Sequence, residues 1–368
     1  MFSAILLSGL LAATPAQAKK TPPSCHALTE HQLKDDITLS EPCYAVSGFV
    51  TIGGHITVEP GVHIVVGSGS TLSFENDGTL TAIGTADKPI VIEGKDHTPG
   101  FWRGLHFQTN SSKNQLSYVT VEDVGEAGAD SGAVMVGVAA RLAMDHTTVR
   151  NAEGFGLNVD QRGILAKFEA NHFENTGTPL RVKAADLAMI DPATTFANNK
   201  KNYVLVYFNE CVVSDDATWR ALAVPYHFAC SPEIKSHLTI EPGAKLEFES
   251  NVGIDVTQDG SLSAEGTPDK PIVFTGADET PGFWTGLYFE SNSAKNVVSH
   301  ATIQYAGQDS SISGGVCIGV NAGAKVSDSE IGNNAVAGIR VLQNGRLNAD
   351  AETSNRFHDN KVNIQREN

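Results

Sequence analysis

Four carboxylates crowd into one short stretch of the chain, Glu122, Asp123, Glu126 and Asp130, and two arginines follow at Arg141 and Arg150. Several carboxylates together can bind a hard cation such as Ca2+, and an arginine beside them can stabilise a developing enolate. A solvated acidic corner is the simpler account, since the chain carries a net charge of −16. Asp145 and His146 suggest a triad with Arg150, but neighbours on a strand point to opposite faces, so none is implied. A second candidate set is aromatic. Trp102 and Trp284 each end a Gly-Phe-Trp turn, with His106 and Tyr288 at matching outward positions. Aromatic faces suit pyranose rings, and two equivalent sites would act bivalently. The alternative for both rings is packing at a bend.

The matching is systematic. TADKPIVIEGKDHTPGFWRGLHF (Thr85 to Phe107) returns as TPDKPIVFTGADETPGFWTGLYF (Thr267 to Phe289), and Pro60/Pro242 and Trp102/Trp284 share an offset of 182 residues. An ungapped register from about Val58 to Phe168 reads as a tandem duplication, the mark of a repeat architecture. At the same offset Gln304, Tyr305 and Gln308 replace Glu122, Asp123 and Glu126, and Gly323 and Gly332 replace the arginines. A site at the acidic cluster would therefore belong to the first half alone.

The elements that must position these residues are short strands. Val62, Ile64 and Val66 alternate with His63; Leu72/Phe74, Leu80/Ala82, Ile90/Ile92, Leu105/Phe107 and Val119/Val121 keep the same period of two, which is the pattern of a half-buried strand. Glu59-Pro60-Gly61, Asp77-Gly78, Asp87-Lys88-Pro89 and Pro99-Gly100 punctuate them as corners. With 35 glycines, 41% hydrophobic residues and no helical pattern between strands, the chain reads as all-β. Almost no hairpin signal joins neighbouring strands, Asn344-Gly345 excepted. What remains is a coil of short strands, each turn stacked on the last. Asn171 to Asn175, Asn198-Asn199 and Asn355 to Asn360 each place asparagine near phenylalanine, as in an asparagine ladder bonding one turn to the next.

LTIEPGAKLEF (Leu238 to Phe248), GSLSAEGTPDKPIVFTG (Gly260 to Gly276), TPGFWTGLYF (Thr280 to Phe289) and NNKKNYVLV (Asn198 to Val206) resemble right-handed parallel β-helix repeat proteins of the pectate-lyase-like superfold. The nearest likeness is to exported bacterial β-helix proteins of largely unassigned activity, and it covers most of the chain from Val50 onward. The resemblance implies a right-handed parallel β-helix, a solenoid of about a dozen rungs on the order of 60 Å long. It implies no particular reaction. Pectate lyases of this superfold use aspartates around calcium and an arginine base, which makes Glu122, Asp123, Glu126, Asp130 and Arg150 the enzymatic alternative. The Gly-His-Asp element of polygalacturonase-type hydrolases does not appear.

Residues 1–18, MFSAILLSGLLAATPAQA, have the apolar core and small-residue end of a secretory leader. Four cysteines suit that route. The duplication selects Cys25–Cys43 and Cys211–Cys230 as bridges, one per half, and leaves Cys317 unpaired. The expected layout is a leader at 1–18, a first half at 19–200 with a disulfide-tied N-terminal cap, and a second half at 201–368. The acidic balance argues against nucleic acid, and no run approaches a membrane span. No cofactor motif is present; calcium at the acidic cluster is the one ion the residues suggest. The residues that recur build turns and core, while the plausible catalytic groups do not recur. The favoured reading is therefore a non-enzymatic, exported scaffold contacting polysaccharide or another envelope component. A polysaccharide lyase or glycoside hydrolase with a site in the first half is the alternative.

Overall fold

The computed structural model describes residues 25–125, 132–207, 211–308 and 313–367; the expected leader, Glu126 and Asp130 lie outside them. The described chain is nearly all β, with 4% helix, wound into a parallel β-solenoid of about 13 turns. All strand pairs of the ladders are parallel, and each strand pairs with the strand one turn away.

Three ladders run along the first half. The first contains Cys43–Val46, His63–Val66, Ile90–Gly94 and Val119–Val124, then the opening residues of Thr148–Val159 and His172–Val182, and ends at Thr195–Ala197. The second contains Phe49–Ile52, Thr71–Phe74, Gly104–Phe107 and Gly132–Val136, then the closing residues of the same two long strands. The third runs from Ile37–Leu39 to Ile164–Glu169. Period-two alternation has the consequence expected of it. Inward side chains of one rung lie over those of the next, as in Ile64 over Ile92 and then Val121, and all three are buried. Larger gaps are filled by aromatic stacks, Phe74 on Phe107 at 5.0 Å and Phe248 on Trp284 at 4.5 Å between centroids. No rung could bury this surface alone.

The two halves form one coil. Val204–Val206 pairs with Leu180–Val182 on one side and with Tyr226–Phe228 on the other, so the second ladder passes the expected 200/201 boundary without a break. It does so with a change of phase. Tyr226, the offset counterpart of Tyr44, continues the second ladder, whereas Tyr44 belongs to the first. Residues related by the 182-residue offset therefore point to different sides of the coil.

Both expected disulfides are present, Cys25–Cys43 and Cys211–Cys230, and Cys317 is a buried free thiol. Burial pushes its pKa up to about 12, so it is a packing residue and not a nucleophile. The asparagine ladder is real. Asn171 accepts from the Thr147 N–H and donates to the Met144 carbonyl; Asn355 and Asn360 do the same one rung below their own. A further pair keeps the offset in all its bonds but one. Asn114 accepts from the Leu80 N–H and donates to Thr109, while Asn296 accepts from the Leu262 N–H and donates to Ser291 and the Gly323 carbonyl.

The Asn114, Asn171 and Asn296 amides are buried, and each closes a corner whose backbone groups are shielded from water. Replacing Asn296 by alanine strands several such groups at ~1–3 kcal/mol each. We expect Asn296→Ala to lower stability by about 2–4 kcal/mol, read as a shift of the urea midpoint. A midpoint within experimental scatter of the parent would show that the corner holds without it.

Candidate functional site

The outward face of the first ladder carries a column of side chains set by register: Ala27, Ala45, Val65, Glu93, Glu122, Arg150, Glu174. Its lower part is small and apolar, and its upper part is charged, two adjacent glutamates followed by an arginine and a third glutamate. A groove of about 720 Å³ opens along the apolar part, with Glu93, Lys95, His97 and Phe101 at one end. Within this column the structure brings Glu122 and Arg150 together, the guanidinium Nε donating to Glu122 Oε2 at 2.5 Å. That bond raises the arginine pKa against the opposing effect of burial. Glu93 lies one rung below Glu122 with the two carboxyls in hydrogen-bond contact; burial first, then Glu122, pushes its pKa up, while His97 opposes the shift.

Beside the column the chain turns its corner through left-handed residues, Asp123, Asn151 and Asn175, with φ of 62°, 52° and 54°. Asn175 donates to Asn151 Oδ1 at 2.8 Å, and Asn151 donates to Asp123 Oδ1 at 3.3 Å. Asp123 is thereby held with its second oxygen, Oδ2, 3.1 Å from His97 Nδ1. The same nitrogen lies 3.7 Å from Glu93 Oε2.

Of the residues expected from sequence, Glu122, Asp123 and Arg150 converge. Arg141 does not join them: it stands on the third ladder and donates to Asn110. The expectation that Asp145 and His146 point apart needs correction. His146 leaves the strand in a left-handed conformation (φ 46°) and its Nδ1 meets Asp145 Oδ1 at 3.0 Å. The pair still forms no triad, because Asp145 is held by Ser117 and Lys167 and Arg150 by Glu122.

The aromatic expectation fails for both tryptophans. Trp102 and Trp284 are 0% exposed, and each indole N–H donates to a backbone carbonyl one rung on, Glu122 at 3.0 Å and Gln304 at 2.8 Å. The rings fill the bend and satisfy its backbone, so they offer no face to a sugar. His106 is largely covered, with burial lowering its pKa. Tyr288 is half-exposed and lines a small cavity of about 230 Å³ with Asp255, Asn251 and Ser313. Burial there pushes Asp255 up to about 6, with Glu290 and Glu233 adding to it.

Sequence reasoning missed two features. Glu93 and His97 sit in the stretch read as turn and core, and only the register places them beside Glu122 and Asp123. A second groove, of about 490 Å³, is lined by Phe155, Arg181, Lys200, Lys201 and Tyr207, with the Arg181 guanidinium 4.6 Å from the Tyr207 ring centre and 5.5 Å from that of Phe155. Lys200 and Lys201 lie in the NNKKNYVLV stretch, but Phe155, Arg181 and Tyr207 share no motif and come from three successive turns.

Residues 226–323 match the family described as the pectate-lyase-like beta helix domain, in agreement with the parallel solenoid. No curated protein and no solved structure is significantly similar to the chain. The matched segment lies wholly beyond the Glu93–Arg150 column. Among the described residues, no helix is long and apolar enough to cross a membrane, and the two disulfides are of a kind that persists in oxidising compartments.

Asp255 gives a measurable sign. Its folded pKa is raised, so the native state binds more protons than the unfolded chain between about pH 4 and 6, and stability falls as pH rises through that window. Asp255→Asn should remove the fall and raise stability above pH 6 by about 1–3 kcal/mol. Melting curves from pH 4 to 8 test this; a variant with the parent's pH profile would refute it.

Proposed function

We propose that the chain is an exported, non-enzymatic β-solenoid that binds polysaccharide, or another component of the cell envelope, along the groove of the first ladder. One observation carries this reading. The two halves build the same corners and the same core, yet Glu93, His97, Glu122, Asp123 and Arg150 are answered at the offset by Thr275, Glu279, Gln304, Tyr305 and Gly332. The second half builds the same corners without the charged set, which supports a role for that set other than folding. The shape supports an extended ligand. Small side chains at Ala27, Ala45 and Val65 form a floor about three rungs long, and polar groups at its end can bond hydroxyls.

The chemistry of Arg150 favours binding over turnover. An arginine base must give up its proton, and this one is held more tightly by its bond to Glu122. Nor do Glu122 and Asp123 present an oxygen cage for calcium, since Glu122 is engaged by arginine and Asp123 by an amide and an imidazole. One observation favours the other reading. Glu93, raised by burial and by Glu122, has the character of a general acid at the mouth of a groove.

Two assays separate them. Screening the mature protein on a glycan array, then measuring hits by calorimetry, should yield a ligand whose affinity drops at least tenfold in Val65→Trp, which fills the groove. Incubation with the same glycan should release neither reducing ends nor unsaturated uronates. Turnover that is abolished by Glu93→Gln would overturn the binding reading and establish the hydrolytic one.

A further inference from the structure

We propose that Glu93, His97 and Asp123 form a binding site for a first-row divalent cation of the zinc type. His97 Nδ1, one Glu93 oxygen and one Asp123 oxygen all lie within 4.8 Å of one another. A tetrahedral cation with bonds of about 2.0–2.2 Å separates its donors by roughly 3.4 Å. The two nitrogen–oxygen edges measured here, 3.1 Å to Asp123 and 3.7 Å to Glu93, bracket that value. Two edges of a tetrahedral face are therefore in place, and the third, between the Glu93 and Asp123 oxygens, is shorter than 4.8 Å.

Ordinary ion pairing does not account for this arrangement. Two other histidines among the described residues each meet two carboxylates. His227 meets Glu247 through Nδ1 and Glu249 through Nε2; His358 meets Glu330 through Nε2 and Asp359 through Nδ1. In both, the two acids stand at opposite ring nitrogens, one carboxylate to each. At His97 both acids converge on the single Nδ1. One N–H cannot serve two acceptors well, whereas one cation can accept all three donors.

The supports of the site are those a metal centre needs. Asp123 has a side chain 2% exposed, and the Asn175–Asn151 relay takes its Oδ1 and leaves Oδ2 facing the imidazole. Such outer partners fix ligand orientation. Glu93 is braced by its rung neighbour Glu122, whose charge Arg150 balances. Glu93 and His97 also line the 720 Å³ groove, so the fourth position opens onto it and is free for water or an oxygen of a bound molecule. The donor set selects the ion. One imidazole and two carboxylates suit zinc and its neighbours, while calcium takes six to eight oxygens. In the second half Thr275, Glu279 and Tyr305 stand at the three positions, so one site per chain is expected.

Equilibrium dialysis of the full mature chain against Zn2+ should show one equivalent bound, and Ca2+ should bind at least tenfold more weakly. His97→Ala and Asp123→Asn should each weaken Zn2+ at least tenfold; asparagine tolerates the left-handed conformation at 123, and circular dichroism confirms that each variant keeps its strands. His358→Ala, which removes a straddled histidine, should leave Zn2+ binding unchanged. Absence of stoichiometric binding, equal affinity for Ca2+, or binding that survives both site variants would overturn the proposal. No glycan enters the measurement, so its outcome is independent of the binding reading above.

Discussion

Everything in this molecule depends on one constraint: a rung cannot bury its apolar side chains except against the rung above and the rung below. A single turn of coil offers a few inward aliphatics and a set of corner amides with nowhere to bond. Stacked in parallel register, the same residues become continuous columns, Ile64–Ile92–Val121 in one ladder and Leu72–Leu105–Val134 in the next. Corner backbone groups find their partners in side chains one turn away, such as Asn114, Asn171 and Asn296. These closures reach into a neighbouring turn and so help to hold the register of the stack, which among the described residues shifts locally only at Leu142/Ala143 and between Ala152 and Phe155.

The same stacking decides what the outside can do. Glu93, Glu122 and Arg150 are far apart in sequence and adjacent in space, and His97 meets Asp123 across a rung. Chemistry on such a surface is written in columns, not in motifs. That explains what was legible beforehand. Period-two alternation, the Pro-Gly corners, the two bridges and the asparagine units depend only on local sequence and on the repeat, and all could be read. Glu122, Asp123 and Arg150 could be suspected from their types. Glu93 and His97 could not be joined to them, because nothing local to Glu93 says that the next rung's Glu122 will be its neighbour. Phe155, Arg181 and Tyr207 were invisible for the same reason.

The tryptophans failed in the opposite direction. Their recurrence at a fixed offset drew attention to them as a paired ligand site, yet recurrence in a stacked coil is what building residues show. Each ring closes a bend and donates its N–H to the next rung's backbone. The phase change at the junction would have defeated bivalence in any case, since Tyr226 continues the second ladder while Tyr44 lies in the first. Offset-related surfaces face different ways, so the two halves cannot present one ligand with two copies of the same contact.

The internal repeat thus acts as a control within a single chain. Where the halves agree, the agreement traces to packing: the Trp102/Trp284 bends and the Asn114/Asn296 corners keep matching hydrogen bonds in both, Asn296 adding one to the Gly323 carbonyl. Where they disagree, folding exerts no pull, and the left-handed corner shows the difference most clearly. Asp123 and Tyr305 adopt nearly the same backbone, φ 62° and 65°, so the turn is kept with either side chain, although aspartate tolerates this region better than tyrosine. What separates them is outward: an aspartate held by an asparagine relay and aimed at a histidine in one half, an aromatic ring in the other. A conformation that is rare for either residue is maintained by the stacked rungs around it, and that rigidity lets a corner position a carboxylate without help from the loop's own sequence. The solenoid supplies the precision, and the first half alone uses it.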